Sequence, residues 1–339
     1  HRKLRIKKTA VNYSTTDSHR KLISFGIEEL LKSKELPLYD MMSFHFGLHE
    51  DMHELHSPSF TYGSILMAAY GIFGGDCDKI LPASIATELI NGFCEIHDDI
   101  ESGRPKRGNQ DALWWVWGPA QAINVGDGMH ALARISALKL IGQGFSTEQT
   151  YSAINLLDQA CLQACEGRFR DLEMQELIDV PVARYQKMAS EKSGALFGSS
   201  LAVAAMLYGF DQGIQRDLLK CGDLIGEYCQ IRSDMNELWP TDSNMNLEFL
   251  NKKKLYPVLV AMERASPSEK RKLGDVYFKR VLEASDIAPV LEVVENQGGR
   301  EASEERIECC RASIMTTLEE VCEESKGAEY LLNLVNEGK

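Results

Sequence analysis

Apolar residues recur with the spacing of an amphipathic helix almost from one end of the chain to the other, and almost no stretch alternates with a period of two. Short polar turns separate the helical stretches, for example at residues 240–243 and 298–299. This pattern predicts an all-α bundle with helices long enough to enclose a central cavity. The predicted helices cover residues 17–34, 61–73, 79–102, 114–140, 147–176, 180–208, 212–239, 252–264, 268–284, 287–296 and 301–336.

The chain shows no sign of a division into separate domains. A length of 339 residues is compatible with two domains of about 100–200 residues each. However, no run rich in Pro, Gly or Ser interrupts the chain as a linker would. We therefore predict a basic, flexible tail over residues 1–16 and one helical domain over residues 17–339. This segment could be a tag remnant, a floppy tail or a lid over an anionic site, and the tail interpretations are favoured over the lid.

Composition restricts the partners and the compartment. The formal net charge of -13 argues against nucleic acid or an anionic membrane surface as a partner. The longest apolar runs, such as residues 202–207, stop far short of the ~20 residues that span a bilayer, so no stable membrane insertion is expected. An odd number of cysteines, nine, without a secretory signal predicts free thiols in the cytoplasm.

Three acidic side chains close the apolar helix that ends near residue 102. Asp98 and Glu101 stand three residues apart and share a helical face, with Asp99 beside them. Carboxylate oxygens suit Mg²⁺, which usually takes one or two carboxylates together with substrate phosphates. Lys106 and Arg107, just beyond, could bind a phosphate. Taken alone, a solvated helix end is the simpler interpretation.

A second stretch, residues 226–237, repeats this arrangement. Asp234 and Glu237 have the same spacing as Asp98 and Glu101. Two such ends facing each other in a bundle would hold Mg²⁺ ions around a diphosphate. Lys192 lies between them on an apolar stretch, where a buried ammonium group needs an anion.

Two further patterns suggest chemistry but have simpler explanations. His49 to His53 spell the H-E-x-x-H pattern of zinc proteases, within a histidine-rich stretch from His45 to His56. Gly47 and Pro58 flank this pattern closely and no third ligand follows at the usual spacing, so a zinc protease is not expected. A tryptophan cluster could stabilise a carbocation, but core packing or a subunit interface is the favoured explanation. The cluster comprises Trp114, Trp115 and Trp117.

Taken together, these motifs resemble the trans-type polyprenyl diphosphate synthases, a family with the class I isoprenoid synthase fold. The resemblance covers nearly the whole chain, and the motifs occur in the family's order. It implies a helical bundle in which two aspartate-rich motifs bind three Mg²⁺ ions and an allylic prenyl diphosphate, usually in a homodimer. The matching stretches are 40–47, 68–76, 88–90, 96–108, 118–127, 167–172, 192–194, 230–232 and 253–257.

The resemblance also assigns roles to single residues. Asp98 and Asp99 would be Mg²⁺ ligands of the first motif, and Arg107 would contact a phosphate. Lys192 and Lys253 would bind the diphosphate, and Gln230 would line the site. Phe93, five residues before Asp98, stands where the family sets product length, although plain core packing explains it equally well.

Both acidic motifs depart from the family pattern. The first would end in an aspartate at position 102, where this chain has Ser102, so that Glu101 would substitute. In the second motif Ser233 and Glu237 replace aspartates, and only Asp234 is retained. A serine hydroxyl and a glutamate can still bind Mg²⁺.

A larger departure concerns the site for the second substrate, isopentenyl diphosphate. The family's basic stretch falls on residues 58–63, which contain no cation, and its histidine is replaced by Asn91. A diphosphate without these partners would lose several charge-assisted hydrogen bonds of about 1.5–3 kcal/mol each. The sequence therefore favours an enzyme of the terpene synthase type, which ionises an allylic diphosphate but does not elongate it.

Two alternatives remain open at this point. The first is an elongating prenyl diphosphate synthase whose second site is rebuilt from Arg104, Lys106 or the basic amino terminus. The second is a non-catalytic regulatory subunit of such a synthase. A prenyltransferase that transfers the allylic group to a non-isoprenoid acceptor is a variant of the favoured hypothesis, an enzyme that ionises the allylic diphosphate without elongating it.

Overall fold

The computed structural model describes residues 16–48, 59–240, 247–322 and 324–338, and it confirms the all-α prediction. Apart from one short hairpin, the elements are helices. They are α1 (Thr16–Lys32), α2 (Pro37–His45), α3 (Thr61–Ile72), α4 (Leu81–Glu101), β1 (Lys106–Arg107), β2 (Gln110–Asp111), α5 (Leu113–Trp117), α6 (Pro119–Leu138), α7 (Thr147–Gln175), α8 (Val182–Ala189), α9 (Ala195–Tyr208), α10 (Gln212–Leu238), α11 (Leu247–Leu250), α12 (Tyr256–Arg264), α13 (Pro267–Tyr277), α14 (Ile287–Asn296), α15 (Gly299–Cys322) and α16 (Ser325–Glu337).

Several predicted boundaries shift for local reasons. Residues after Pro37 form α2 instead of a loop, because proline is well suited to the first turn of a helix. Gly118 has a φ of 82° and separates α5 from α6, which were predicted as one helix. The predicted helix 180–208 contains a π-helical turn, Ser190–Gly194, between α8 and α9. The predicted helix 301–336 divides into α15 and α16.

The described residues cluster into two compact units. The first comprises residues up to 161 together with 196–220 and 317–338, and the second comprises 162–195 and 221–316. The single domain expected over residues 17–339 therefore stays a prediction. None of the helices in the described part of the chain has both the length and the hydropathy needed to cross a membrane.

Each unit has its own core. In the first, nearly every residue of α3 is buried, and α4 packs closely along α6. Gly92 allows this approach, because a Cβ atom there would lie 2.8 Å from the sulfur of Met129 and 2.9 Å from the ring of Phe46. In the second unit, the fully buried Tyr185 and Phe249 lie in two apolar clusters built on α8, α10, α12, α13 and α14. These cores hold the ends of α4 and α10, where the acidic motifs lie.

Candidate active site

The first acidic motif lies at the carboxyl end of α4, in the first unit. The side chain of Asp99 is only 4% exposed and that of Asp98 15%, whereas Glu101 lies at the surface. The amide of Ser102 donates to the carbonyl of Asp98 and continues the helical pattern. The helix ends there because Gly103 reverses the chain with a φ of 61°. The two aspartates that the sequence singled out are therefore held at the edge of the core.

Two arginines hold the carboxylates of this motif. Arg107 donates to both oxygens of Asp99, from Nη2 at 2.8 Å and from Nε at 3.3 Å, and also to the carbonyl of Glu95 at 3.2 Å. Arg104 Nη1 lies 3.2 Å from Asp98 Oδ2 and 3.4 Å from Asp99 Oδ1. Burial raises the pKa of Asp99, and the charges of Arg107 and Arg104 oppose that shift. Burial disfavours the charged form of Arg107, but Glu95 and Asp99 raise its pKa above the ordinary value.

A β-hairpin that the sequence analysis does not predict positions Arg107, and Arg104 lies just before it. β1 and β2 pair antiparallel, with Arg107 opposite Gln110 and Gly108 in the turn at a φ of 59°. The side-chain amide of Gln110 donates to the carbonyl of Phe44. The segment 106–109 carries a charged pair and a Gly-Asn turn, which is the signal that could have indicated the hairpin.

The carboxylate oxygens of this motif are of the kind that Mg²⁺ takes as ligands, and the role of Asp98 and Asp99 as Mg²⁺ ligands stays a prediction. One guanidinium nitrogen of Arg104 lies within hydrogen-bonding distance of both aspartates, so the two carboxylates already share one positive group. Across residues 16–48, 59–240, 247–322 and 324–338, no set of three His, Cys, Asp or Glu side chains is placed to hold a metal. Mg²⁺ does not require such a set, since it keeps waters and substrate phosphates as ligands.

The second unit gathers the predicted diphosphate-binding lysines around Asp171. Lys192 Nζ lies 2.6 Å from Asp171 Oδ2, and Lys253 Nζ lies 3.8 Å from the same oxygen. Lys253 also pairs with Glu248. The three side chains of the Asp171 group are each at most 12% exposed. Two buried ammonium groups therefore lie beside one internal carboxylate, and their binding of a diphosphate stays a prediction.

Close backbone packing places Lys192. A Cβ atom at Gly167 would lie 2.3 Å from the amide nitrogen of Lys192, and one at Gly226 would lie 2.4 Å from the nitrogen of Gly194. The π-helical turn thus presses against α7 on one side and α10 on the other, which only glycine permits. Lys253 follows Lys252, whose φ of 60° is unusual for a residue with a side chain.

The second acidic motif presents a different environment. Asp234 is buried, and its carboxylate accepts hydrogen bonds from Tyr185 Oη at 2.6 Å, the amide of Tyr256 at 2.8 Å and Gln230 Nε2 at 3.0 Å. Burial raises the pKa of Asp234 to about 7, against the effect of these donors. Three protein donors already occupy this carboxylate, and its role as a Mg²⁺ ligand stays a prediction.

The two other residues of this motif differ in exposure. Ser233 is exposed, whereas Glu237 is half-buried and accepts the amide of Phe249 at 3.1 Å. Burial raises the pKa of Glu237. Their assignment as Mg²⁺ ligands, like that of Glu101, also stays a prediction.

Phe93 lies where α4 faces α6. Its ring centroid is 4.5 Å from that of His97 and 5.3 Å from that of His130. A Cβ atom at Gly126 would lie 2.7 Å from His97 Nε2, so α6 approaches this group through a glycine. The role of Phe93 in setting product length stays a prediction.

Residues 61–63, the end of the stretch without cations, form the first turn of α3. Phe60 has a φ of 40°, and Thr61 and Gly63 are buried in the first turn. The amide of Gly63 donates to Glu88 Oε1 at 2.6 Å, so an internal carboxyl group binds this helix start. Burial raises the pKa of Glu88 to about 8. Residues 49–58, including the H-E-x-x-H pattern, lie outside the described part of the chain.

The fold and its motifs define a class I isoprenoid synthase. The family profile described as Polyprenyl synthetase matches residues 62–294, and the chain belongs to that family. It is 27% identical over 300 residues to a geranylgeranyl diphosphate synthase of Mycobacterium tuberculosis, covering 85% of this chain and 84% of the relative. It is 27% identical over 323 residues to a geranylgeranyl pyrophosphate synthase of Geoglobus acetivorans, covering 93% and 95%.

A solved structure supports the fold. The polyprenyl synthetase of Streptomyces coelicolor A3(2) superposes with a TM-score of 0.82 at 22% identity, covering 96% of this chain and 98% of that one. Both the family and the enzyme class expected from the sequence are thus confirmed.

These relatives correct the favoured functional prediction. Ionisation without elongation, as in a terpene synthase, was wrong, because the relatives are named as synthases of elongated prenyl diphosphates. The error came from treating the missing cations at residues 58–63 and at position 91 as decisive. A diphosphate is neutralised by whichever cations lie within a few Å, and their positions in the chain are not fixed in advance.

Proposed function

We propose that this chain is a prenyltransferase that condenses an allylic prenyl diphosphate with isopentenyl diphosphate to give a short-chain prenyl diphosphate, such as geranylgeranyl diphosphate. The observation that carries the proposal is the family membership, together with geranylgeranyl diphosphate synthases that match over most of their length. In this reaction the allylic C–O bond breaks and diphosphate leaves. A new C–C bond then forms to isopentenyl diphosphate, which loses a proton.

The proposed roles of the acidic residues follow their surroundings. Asp98 and Asp99 are proposed to bind Mg²⁺, because the family resemblance places them in its first acidic motif and one guanidinium nitrogen of Arg104 lies within hydrogen-bonding distance of both carboxylates. Bound Mg²⁺ supplies charge to the leaving diphosphate. The Mg²⁺-binding roles that the family resemblance implies for Glu101, Ser233, Asp234 and Glu237, with three ions in all, are proposed as well. Asp234 would have to release donors such as Tyr185 to bind Mg²⁺.

The basic residues are proposed to bind diphosphate. Lys192 and Lys253 both lie near Asp171, and a diphosphate would offer them stronger charge than that one carboxylate. Arg107 is proposed to contact a phosphate from its place beside Asp99, and Gln230 to line the site.

Substitutions with a matched control test these roles. Asp98→Ala and Lys192→Ala should each abolish diphosphate release, because each removes a group that stabilises the leaving charge. Ser102→Ala, at the position where the family has a third aspartate, should change the rate by less than about threefold, or about 0.7 kcal/mol. Release at the wild-type rate by Asp98→Ala or Lys192→Ala would contradict the assignment.

We further propose a homodimer, formed through an apolar face of the first unit. Trp115 is 60% exposed, and Ile123, Ile135 and Leu138 on α6 are 44%, 52% and 53% exposed. Exposed apolar side chains in such a number typically mark an interface. This use of the tryptophans, and not carbocation stabilisation, is the proposed one. Light scattering should give twice the chain mass, and a monomer would refute the proposal. The cytoplasmic location stays a prediction.

A further inference from the structure

Arg104 lies at a position that the family resemblance leaves without a role. From the sequence, Arg104 was considered only as a replacement for the cations missing from the isopentenyl diphosphate site. In the structure its guanidinium group instead faces the first acidic motif, with Nη1 at 3.2 Å from Asp98 Oδ2 and 3.4 Å from Asp99 Oδ1. The side chain of Arg104 is 24% exposed. Charge-assisted contacts at this depth are weakly screened by solvent.

The backbone around Arg104 fixes this direction. Its amide donates to the carbonyl of Asp99 at 2.9 Å, and its carbonyl accepts the indole N–H of Trp114 at 2.7 Å. Gly103, with a φ of 61°, makes the reversal that brings the residue back over the helix end. Both backbone groups of Arg104 are thus hydrogen-bonded, and the loop directs its side chain toward the aspartates.

The charges of the motif explain why a cation is needed there. Asp98 and Asp99 are adjacent carboxylates, and Asp99 is 4% exposed, so their repulsion is poorly relieved by water. Arg107 bonds mainly to Asp99, at 2.8 Å and 3.3 Å, and stays 3.6 Å from Asp98. Nη1 of Arg104 lies within hydrogen-bonding distance of both carboxylates, at 3.2 Å and 3.4 Å, so Arg104 contacts the two nearly equally.

We propose that Arg104 is an internal counter-cation of the first acidic motif, which joins Asp98 and Asp99 in the metal-free protein and leaves them when divalent cations bind. It is a positioning residue, and it sets the cation concentration at which the motif fills. The inference rests on the proposed role of Asp98 and Asp99 as metal ligands.

Mn²⁺ binding to the 339-residue chain without substrate tests the proposal. Free Mn²⁺ is followed by electron paramagnetic resonance in the wild type and in Arg104→Met, which keeps an unbranched side chain but removes the charge. Arg104→Met should bind Mn²⁺ about tenfold more tightly, which corresponds to about 1.4 kcal/mol. Arg104→Lys should bind within about threefold of the wild type, because it restores the positive charge.

Two controls make the result specific. Lys106→Met, two residues after Arg104 but 64% exposed and paired with Asp111 at 3.8 Å, should leave Mn²⁺ affinity unchanged. Adding Asp98→Asn to Arg104→Met should remove the gain in affinity. A purely structural role for Arg104 would lower the melting temperature of Arg104→Met without changing its Mn²⁺ affinity.

The possible results separate this inference from the proposed function. Equal or weaker Mn²⁺ binding by Arg104→Met would overturn it, as would the absence of Mn²⁺ binding in every variant. A raised KM for isopentenyl diphosphate with unchanged Mn²⁺ affinity would also overturn it, since Arg104 would then bind substrate. Because no prenyl transfer enters the Mn²⁺ measurement, failure of the transferase reaction alone leaves the inference standing.

Discussion

Replacing Glu88 by glutamine should change how the stability of the protein depends on pH. Glu88 is 1% exposed, and its carboxyl group accepts the amide of Gly63 at 2.6 Å. Burial raises its pKa from 4.5 to about 8, although the hydrogen bond from Gly63 opposes this. At pH 7 the folded protein therefore carries Glu88 mainly in the protonated form, whereas the unfolded chain carries it ionised.

The sign and size of the effect follow from proton linkage. Between pH 4.5 and about 8 the folded state binds more protons than the unfolded state at this residue, so stability falls as the pH rises. From pH 5 to pH 7 the loss due to Glu88 is about 2.5 kcal/mol, at about 1.4 kcal/mol per pH unit once the unfolded group is ionised. Glutamine keeps an acceptor for Gly63 and does not ionise.

Urea unfolding at pH 5, 6 and 7 measures this directly. The free energy of unfolding of Glu88→Gln minus that of the wild type should rise by about 2.5 kcal/mol over this range. Asp234, whose pKa is also raised, titrates in both proteins and cancels in the difference. Glu305→Gln, on the exposed face of α15, should show no such rise. Parallel pH profiles for Glu88→Gln and the wild type would refute the reasoning.

Two further substitutions probe the second unit. Gly167→Ala would place a Cβ atom 2.3 Å from the nitrogen of Lys192. This substitution should cost about 1–3 kcal/mol of stability in urea unfolding and lower the rate of diphosphate release. The control, Gly274→Ala in α13, has no atom within 4 Å of the new Cβ and should be neutral or stabilising. Lys254 is buried with its ammonium 4.4 Å from the ring centroid of Tyr277, and burial lowers its pKa to about 8. The unfolded chain then binds more protons at Lys254 between pH 8 and 10.5, so wild-type stability should rise with pH relative to Lys254→Met. A constant difference between pH 7.5 and 9.5 would contradict that prediction.

The fold and the order of the motifs could be predicted because both are local properties of the sequence. Helical periodicity and the spacing of Asp98 and Asp99 are visible within a few turns of chain. Helix ends were less accurate where one backbone conformation decides them, as at Gly118 and at the π-helical turn that carries Lys192.

The partners of the charged residues could not be predicted from the sequence. Asp171 lies 21 residues before Lys192, and only folding brings the two charges together. Arg104 reaches Asp98 because Gly103 reverses the chain and Trp114 holds the carbonyl of Arg104, a combination that spacing alone does not reveal. The functional error had the same origin, since the sequence shows which cations are missing at 58–63 but not which other groups lie near a bound diphosphate.

Product analysis with and without isopentenyl diphosphate is the decisive test of chain elongation by this protein. Geranyl and farnesyl diphosphates would each be incubated with the protein and Mg²⁺, and the products identified by mass spectrometry. We expect diphosphate release that depends on isopentenyl diphosphate and yields a prenyl diphosphate lengthened by one isoprene unit or more. Hydrocarbon or alcohol formed at the same rate without isopentenyl diphosphate would contradict it.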